Sequence, residues 1–158
     1  MAIQTIIPTP KKMMTDTQTI RFGWYKIVTD EFAMTEEKYA PSDPAQMRID
    51  LLFNTIEAEK LVTVKVKCLF YQEDKLLLII TVSCLFNIYP EDWEKIFDAK
   101  ARILTLSLSS ALQFASLSIS TTRGVLHALT ESAPLNSIIL PPVNLNELVK
   151  EQISIIVQ

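Results

Sequence analysis

The sequence predicts an α+β fold: one four-stranded antiparallel sheet followed by helices packed on one face of it. Three observations carry that expectation. Between residues 18 and 89, apolar and polar residues alternate in four successive stretches. Loops join those stretches with no helical period between them, so the strands run antiparallel. After Pro90 the period lengthens, and a long uncharged run carries its apolar residues at helical spacing.

Residues 1–17 carry Pro8 and Pro10 and no sustained period. They are read as a flexible arm ahead of a single domain, residues 18–158. The first strand is Thr19 to Val28, with Ile20, Phe22, Trp24 and Val28 on one face. Asp30 to Pro44 follows as a long, mostly polar crossover that carries Phe32, Met34 and Tyr39. Loops of that length in a compact domain are usually functional or disordered. In the second strand Met47, Ile49, Leu51 and Phe53 alternate with Arg48, Asp50 and Asn54. In the third, Val62, Val64, Val66, Cys68 and Phe70 alternate with Thr63, Lys65 and Lys67. The turn Gln72-Glu73-Asp74 leads into the fourth, Leu76 to Ile88, whose even positions are apolar throughout. Leu77, Ile79 and Leu85 interrupt its other face, so part of it is buried on both sides.

Pro90-Glu91-Asp92 opens a helix, with proline in the first turn and acids at the positive end of the dipole. Asp98 is placed to cap the next. From Ala99 to about Ser132 the chain reads as mainly helical, with Leu104, Leu108, Ala111, Ala115 and Ile119 in one stripe. The alternation in Leu104–Leu108 and Leu117–Ser120 also fits a strand. The length of the run and its lack of turn residues favour helix. Ala133-Pro134 stops it, and a last helix runs from Leu145 to about Ile155.

The 158 residues are 49% apolar with a mean hydropathy of +0.23, high for a small soluble monomer. A surplus of this kind implies an extra buried face, as in an oligomer, or an apolar patch that binds something. The net charge of −3 argues against nucleic acid as a partner. Two glycines are too few for a phosphate loop or a dinucleotide turn. The N-terminus lacks the apolar core of a signal peptide, so the cytoplasm is the expected location. Residues 103–122 carry no charge, but nine of the twenty are Ser or Thr. That is too polar for a membrane span and too uncharged for a solvent face, so a helix between protein surfaces is expected.

Catalytic chemistry finds little support. His127 is the lone histidine, four residues after Arg123, and a triad or zinc site built on it has no second ligand in the pattern. The acidic pairs Asp30-Glu31, Glu36-Glu37, Glu73-Asp74 and Glu91-Asp92 read as solvated turns or dipole caps. A hairpin near Glu73 sets Cys68 opposite Leu78 or Ile79, with Cys84 about 5 positions on, roughly 17 Å away along the strand. A disulfide needs Cα atoms within about 7 Å, so both read as small core residues. No enzyme activity, cofactor or metal is expected.

One stretch is more specific. Arg123 is followed after nineteen positions by Pro142-Val143-Asn144-Leu145, which opens the last helix. In that order and spacing the chain resembles the SecB family of export chaperones, specifically over residues 123–148 and as a pattern over roughly residues 19–156. The resemblance implies a homo-oligomer in which sheets form dimers and the long helix pairs dimers into a tetramer, with Ala111, Phe114, Ala115 and Ser118 at that interface. It implies an ATP-independent holdase that binds unfolded polypeptide or preprotein in apolar grooves, at Phe32, Met34 and Tyr39 in the crossover and Leu148 on the last helix. Three features depart from the family: about ten extra residues between Ile88 and Arg123, Ala133-Pro134 where a glycine is expected, and an end at Gln158 without the tail that docks the export motor. The missing tail favours the alternative of a dedicated partner protein on this fold, serving a toxin–antitoxin pair or a single cargo.

Overall fold

The computed structural model describes Ala2–Ile3 and residues 19–158; the expected flexible arm, residues 1–17, otherwise lies outside the described residues. The architecture is α+β, with a four-stranded antiparallel sheet and helices. Ala2–Ile3 (β1) is a short strand. The main strands are β2 (Phe22–Met34), β3 (Gln46–Ile56), β4 (Leu61–Gln72) and β5 (Lys75–Ile88). The full order is β1-β3-β4-β5-β2. Strand β1 adds a parallel pair to β3 at Asp50 and Leu51, which the alternation pattern did not predict. Because β2 lies beside β5, its connection to β3 must cross the end of the β4–β5 hairpin, a Greek-key path. That hairpin closes on Glu73 and Asp74, both at positive φ (47° and 61°), the turn geometry whose twist suits a two-residue loop. It sets Cys68 opposite Ile80, slightly beyond the expected partner, and Cys84 opposite Val64. Both thiols are free and buried. Burial pushes the Cys68 thiol up to about 12.

Strand β2 is longer than the sequence reading made it. It continues six residues past Val28 to Met34, and the strand carries two bulges, between Trp24 and Lys26 and between Thr29 and Glu31. Each bulge inserts one residue and turns the alternation over. Phe22 and Trp24 pair with Ile88 and Phe86, then Ile27 and Thr29 with Cys84 and Val82, then Phe32 and Met34 with Ile80 and Leu78. These six share the face that carries the core.

The last third also departs from expectation. Helix α1 (Pro90–Ile96) leads into β6 (Phe97–Asp98) and β7 (Ile103–Leu106). Asp98 closes the turn between these strands, accepting from Lys100 N at 2.9 Å and Ala101 N at 3.0 Å, rather than capping a helix. Residues 103–106 are therefore strand, and the long helix α2 is Leu108–Leu129. Ser107 caps it, its Oγ accepting from Ser110 N at 3.2 Å. The final helix, expected to reach Ile155, is one turn, α3 (Leu145–Leu148), followed by β8 (Ile153–Ile156), which pairs with β7. Ile153, Ile155 and Val157 are buried and alternate, a strand period that the helical reading absorbed.

Arg21, just before β2, ties the sheet to α1. Its Nε donates to Asp92 Oδ2 at 2.8 Å, its backbone N–H to the same oxygen at 2.9 Å, and Lys95 Nζ reaches Asp92 Oδ1 at 2.7 Å. Asp92 is 2% exposed. The Arg21 side chain, then Lys95, then the Arg21 amide hold its carboxyl well below the usual carboxylate range. A carboxyl whose folded pKa is depressed stabilises fully above its unfolded value, about 3.9, and that contribution is lost as pH falls toward the folded pKa. Asp92→Asn should therefore lower the melting temperature at pH 7, and the gap to wild type should close as pH drops below about 4. Thermal unfolding from pH 7 to pH 2.5 checks both; a gap constant with pH contradicts the assignment.

Candidate functional site

The inner face of the main sheet is covered in two pieces. The small β6–β7–β8 sheet lies over β3 through β8, and α2 lies over β4 and β5. Phe114 anchors the helix, with its ring centroid 4.7 Å from Phe22 and 4.9 Å from Phe86. The helix turns a row of small residues onto the sheet. Ala111, Phe114, Ala115 and Ser118, expected between subunits, are instead 0 to 1% exposed within this one chain. The sequence pattern led to the expectation of a helix between two protein surfaces; one face of the helix lies on its own sheet. Its hydroxyls tolerate burial by bonding back along the helix. Ser118 Oγ donates to Phe114 O and Thr122 Oγ1 to Ser118 O, each at 2.8 Å, and Thr130 Oγ1 to Leu126 O at 2.9 Å.

Neither layer closes over the β2 margin. Trp24 and Ile27 are both 48% exposed there, although their cross-strand partners Phe86 and Cys84 are fully buried. The Trp24 ring stacks at 4.7 Å on Phe86 and so continues the aromatic row outward from Phe114. Phe32 and Met34 extend the strip, half-buried against the core. Among the described residues, β2 pairs with β5 alone, so its other side presents backbone donors and acceptors beside this apolar strip. The opposite face of the sheet is different. There Lys65 lies 3.7 Å from Asp30 and Lys67 3.9 Å from Glu31, and Ser83 donates to Asp30. One face of the margin is apolar and the other is ionic.

The crossover is shorter than expected and is held in place. It comprises residues 35–45, with a single 3-10 turn at Glu36–Lys38. The buried Gln72 amide binds Ala40 and Asp43, Thr35 N donates to Leu77 O at 2.8 Å, and the Tyr39 hydroxyl is hydrogen-bonded to Ser137. Of the expected groove residues, Phe32 and Met34 lie on β2 and Tyr39 on the crossover, all half-buried. Leu148 is 0% exposed and belongs to the core, which removes it from any surface groove. Trp24 and Ile27 were missed because the first bulge moves the apolar phase between them. Their signal was the apolar run itself, Phe22 to Ile27 without an acidic residue.

Arg123 explains the spacing to Pro142. Its Nε donates to Leu140 O at 2.7 Å and its Nη2 to Pro141 O at 3.1 Å, so the helix grips the connector that returns beneath it. His127 is exposed; its Nδ1 lies 3.4 Å from Asn136 Nδ2, and that amide also donates to the His127 carbonyl at 3.1 Å. The contact belongs to the helix terminus. Among the described residues no three His, Cys, Asp or Glu side chains are grouped to hold a metal ion, and no helix is long and apolar enough to cross a membrane.

No family model matches the sequence, and no curated protein does. Solved structures do match. The Mycobacterium tuberculosis SecB-like chaperone Rv1957, in complex with a ChAD peptide from the Rv1956 HigA1 antitoxin, superposes with a TM-score of 0.52 at 12% identity, covering 78% of this chain and 88% of that one. A protein of unknown function from Streptococcus agalactiae matches with a TM-score of 0.35 at 13% identity, over 80% of this chain and 99% of that one. The first likeness is one of fold: the chain is built like a SecB-like chaperone.

The two faces of α2 should respond oppositely to a charge. Ala111→Glu sets an unpaired carboxylate against the sheet and should cost about 3 kcal/mol or more, enough to unfold a large fraction of the protein. Ser116→Glu, on the exposed face, should change the stability of the single chain by less than about 0.5 kcal/mol. Urea titration of both variants reads the difference; equal midpoints contradict the orientation of the helix.

Proposed function

We infer that this chain is an ATP-independent holdase that binds non-native polypeptide along the uncovered inner margin of β2. The observation that carries this reading is the strip of Trp24, Ile27, Phe32 and Met34 beside an unpaired strand edge, with Tyr39 at its end. An extended segment laid there gains main-chain hydrogen bonds from the edge and apolar burial from the strip, two contributions that need no particular sequence. Met and aromatic side chains repack around different partners, which favours breadth. Apolar burial is not screened by ions, so binding persists in high salt. The reading needs no cofactor, metal or bond-making step, and it places the protein in the cytoplasm. A role in export to a translocation motor is a narrower form of it.

A second reading shares this surface and is favoured by one specific observation. The chaperone that this chain resembles in fold is seen with a peptide from an antitoxin. A dedicated partner protein, holding one cargo or one antitoxin, would use the same edge with a narrower choice of client. Breadth of binding separates the two.

Assembly into a homo-oligomer, most simply a tetramer, is part of the proposal. The outward face of α2 presents Ser109, Gln113, Ser116, Ser120 and Gly124, all exposed and uncharged. Small residues let a second helix approach closely, and nothing there would be left with an unpaired charge. Native mass should exceed that of the 17.9 kDa chain. Ser116→Glu should reduce it without unfolding the protein.

Binding is tested with a reduced, unfolded client against the same client folded. The wild-type protein should retain the unfolded form only. Trp24, half-exposed, should shift its emission to the blue as client covers it, while Trp93, 4% exposed, contributes a constant background. Trp24→Ala with Phe32→Ala should weaken binding about tenfold or more, the scale of losing two apolar anchors. Equal weak binding to folded and unfolded client would leave a shared fold without a shared activity.

A further inference from the structure

The backbone of the crossover between β2 and β3 is tied at both ends, by Thr35 N donating to Leu77 O at 2.8 Å and by Gln72 on Ala40 and Asp43, with one side-chain contact, from Tyr39, between them. Toward β3, the Gln72 amide takes the backbone on both sides. Its Oε1 accepts from Ala40 N at 3.0 Å, and its Nε2 donates to Ala40 O at 2.9 Å and to Asp43 O at 2.8 Å. Gln72 is 4% exposed. If it let go, a buried amide would lose three partners at once, which is the costly way to break hydrogen bonds. Toward β2, the Tyr39 hydroxyl meets Ser137 Oγ on the 3-10 turn that follows α2. Ser137 is exposed and Tyr39 half-buried, so water replaces that contact at little loss. Between Thr35 and Ala40, the backbone of residues 36–39 makes one local bond, Tyr39 N to Glu36 O at 3.0 Å, and none of the three residues of that turn is buried. The Tyr39 ring itself packs against the hydrophobic core.

We propose that residues 36–39 are a releasable strap: Gln72 is its fixed anchor, the Tyr39–Ser137 hydroxyl pair is its latch, and release lifts the Tyr39 ring off the core it covers. Release adds apolar surface at the end of the strip that Phe32 and Met34 continue from Trp24. The strap thus sets how much of that margin is open at any moment. It rests on the holdase reading only in taking the uncovered surface to be a place for client. The latch itself is a property of the free protein.

The test uses the intact chain without client. Trypsin cleaves after Lys38, inside the strap, only when the segment opens. Tyr39→Phe keeps the ring and removes the latch hydroxyl. Ser137→Ala removes the other half, together with the weak Ser137 Oγ to Pro134 O contact at 3.3 Å. Each should speed cleavage at Lys38 about fivefold, the factor that one net hydrogen bond represents, and the double variant should be no faster than either. An anilinonaphthalene dye should fluoresce more with both variants than with wild type, while melting temperatures stay together. Gln72→Leu should free the whole segment and exceed the latch variants at Lys38. If that variant does not fold, Tyr39→Phe decides alone. Cleavage of Tyr39→Phe at the wild-type rate overturns the latch, and so does acceleration shared by every tryptic site. A wild-type protein that binds no unfolded client overturns the holdase reading instead, while cleavage and dye still decide the latch.

Discussion

Helix α2 can lie across the middle of this protein because its polar groups are answered by the helix itself. Ser118, Thr122 and Thr130 each return a hydrogen bond to the carbonyl one turn back, which leaves none of these three buried hydroxyls seeking water. With that need met, Ala111 and Ala115 let the helix sit low on β4 and β5, and Phe114 fills the space beside Phe22 and Phe86. The Cys84 thiol lies beneath Ser118 and Thr121, which hydrogen-bond it, although burial still raises it above the ordinary thiol range. A charge anywhere along the inner stripe would have no partner, and none occurs there.

The uncovered margin follows from that placement. One helix and a three-stranded sheet lie over β3, β4 and β5, and the helix meets β2 through Phe114 on Phe22, while Trp24 and Ile27 farther along the strand stay half-exposed. Strand β2 nonetheless keeps apolar side chains on its inner side, with Thr29 the one polar break, because two bulges return the side chains to that face each time the alternation would turn them away. Bulges also twist an edge, one of the ways in which proteins discourage indiscriminate pairing there. The result is an edge with apolar side chains on one face, ion pairs on the other, and a latched crossover at one end. That combination suits selective, reversible contact with extended chain better than open-ended aggregation.

The chain's last third is organised around Arg123. Its guanidinium holds the carbonyls of Leu140 and Pro141, and this fixes where the connector passes beneath α2. The connector then delivers α3 beside α2 and β8 over β3, where Leu148 is buried and β8 pairs with β7. Arg102, held at φ 57°, reaches from the turn before β7 to Glu57 at 2.8 Å and joins the small sheet to the β3–β4 turn. A spacing that reads in sequence as a helix, a stiff connector and a helix is thus the span between a donor and the carbonyls it grips.

The fold class, the four strands, the β4–β5 hairpin and the existence of a long uncharged helix were legible in the sequence, because alternation and helical period are local properties of the chain. The same local signal misled wherever tertiary pairing decided the outcome. Residues 103–106 and 153–156 satisfy either period, and only their pairing with each other makes them strands. The first strand lost its signal at Val28 because a bulge leaves no trace in alternation except a broken phase. For the same reason Phe32 and Met34 were found as apolar residues in a supposed loop while Trp24 and Ile27 were passed over. The sequence by itself determined that the uncharged run of residues 103–122 lays an apolar stripe against other protein, since that stripe has no place in water. Which stripe meets the sheet, and which side chains remain at the open margin, was decided only by the tertiary structure, because burial depends on what the other layers are wide enough to cover.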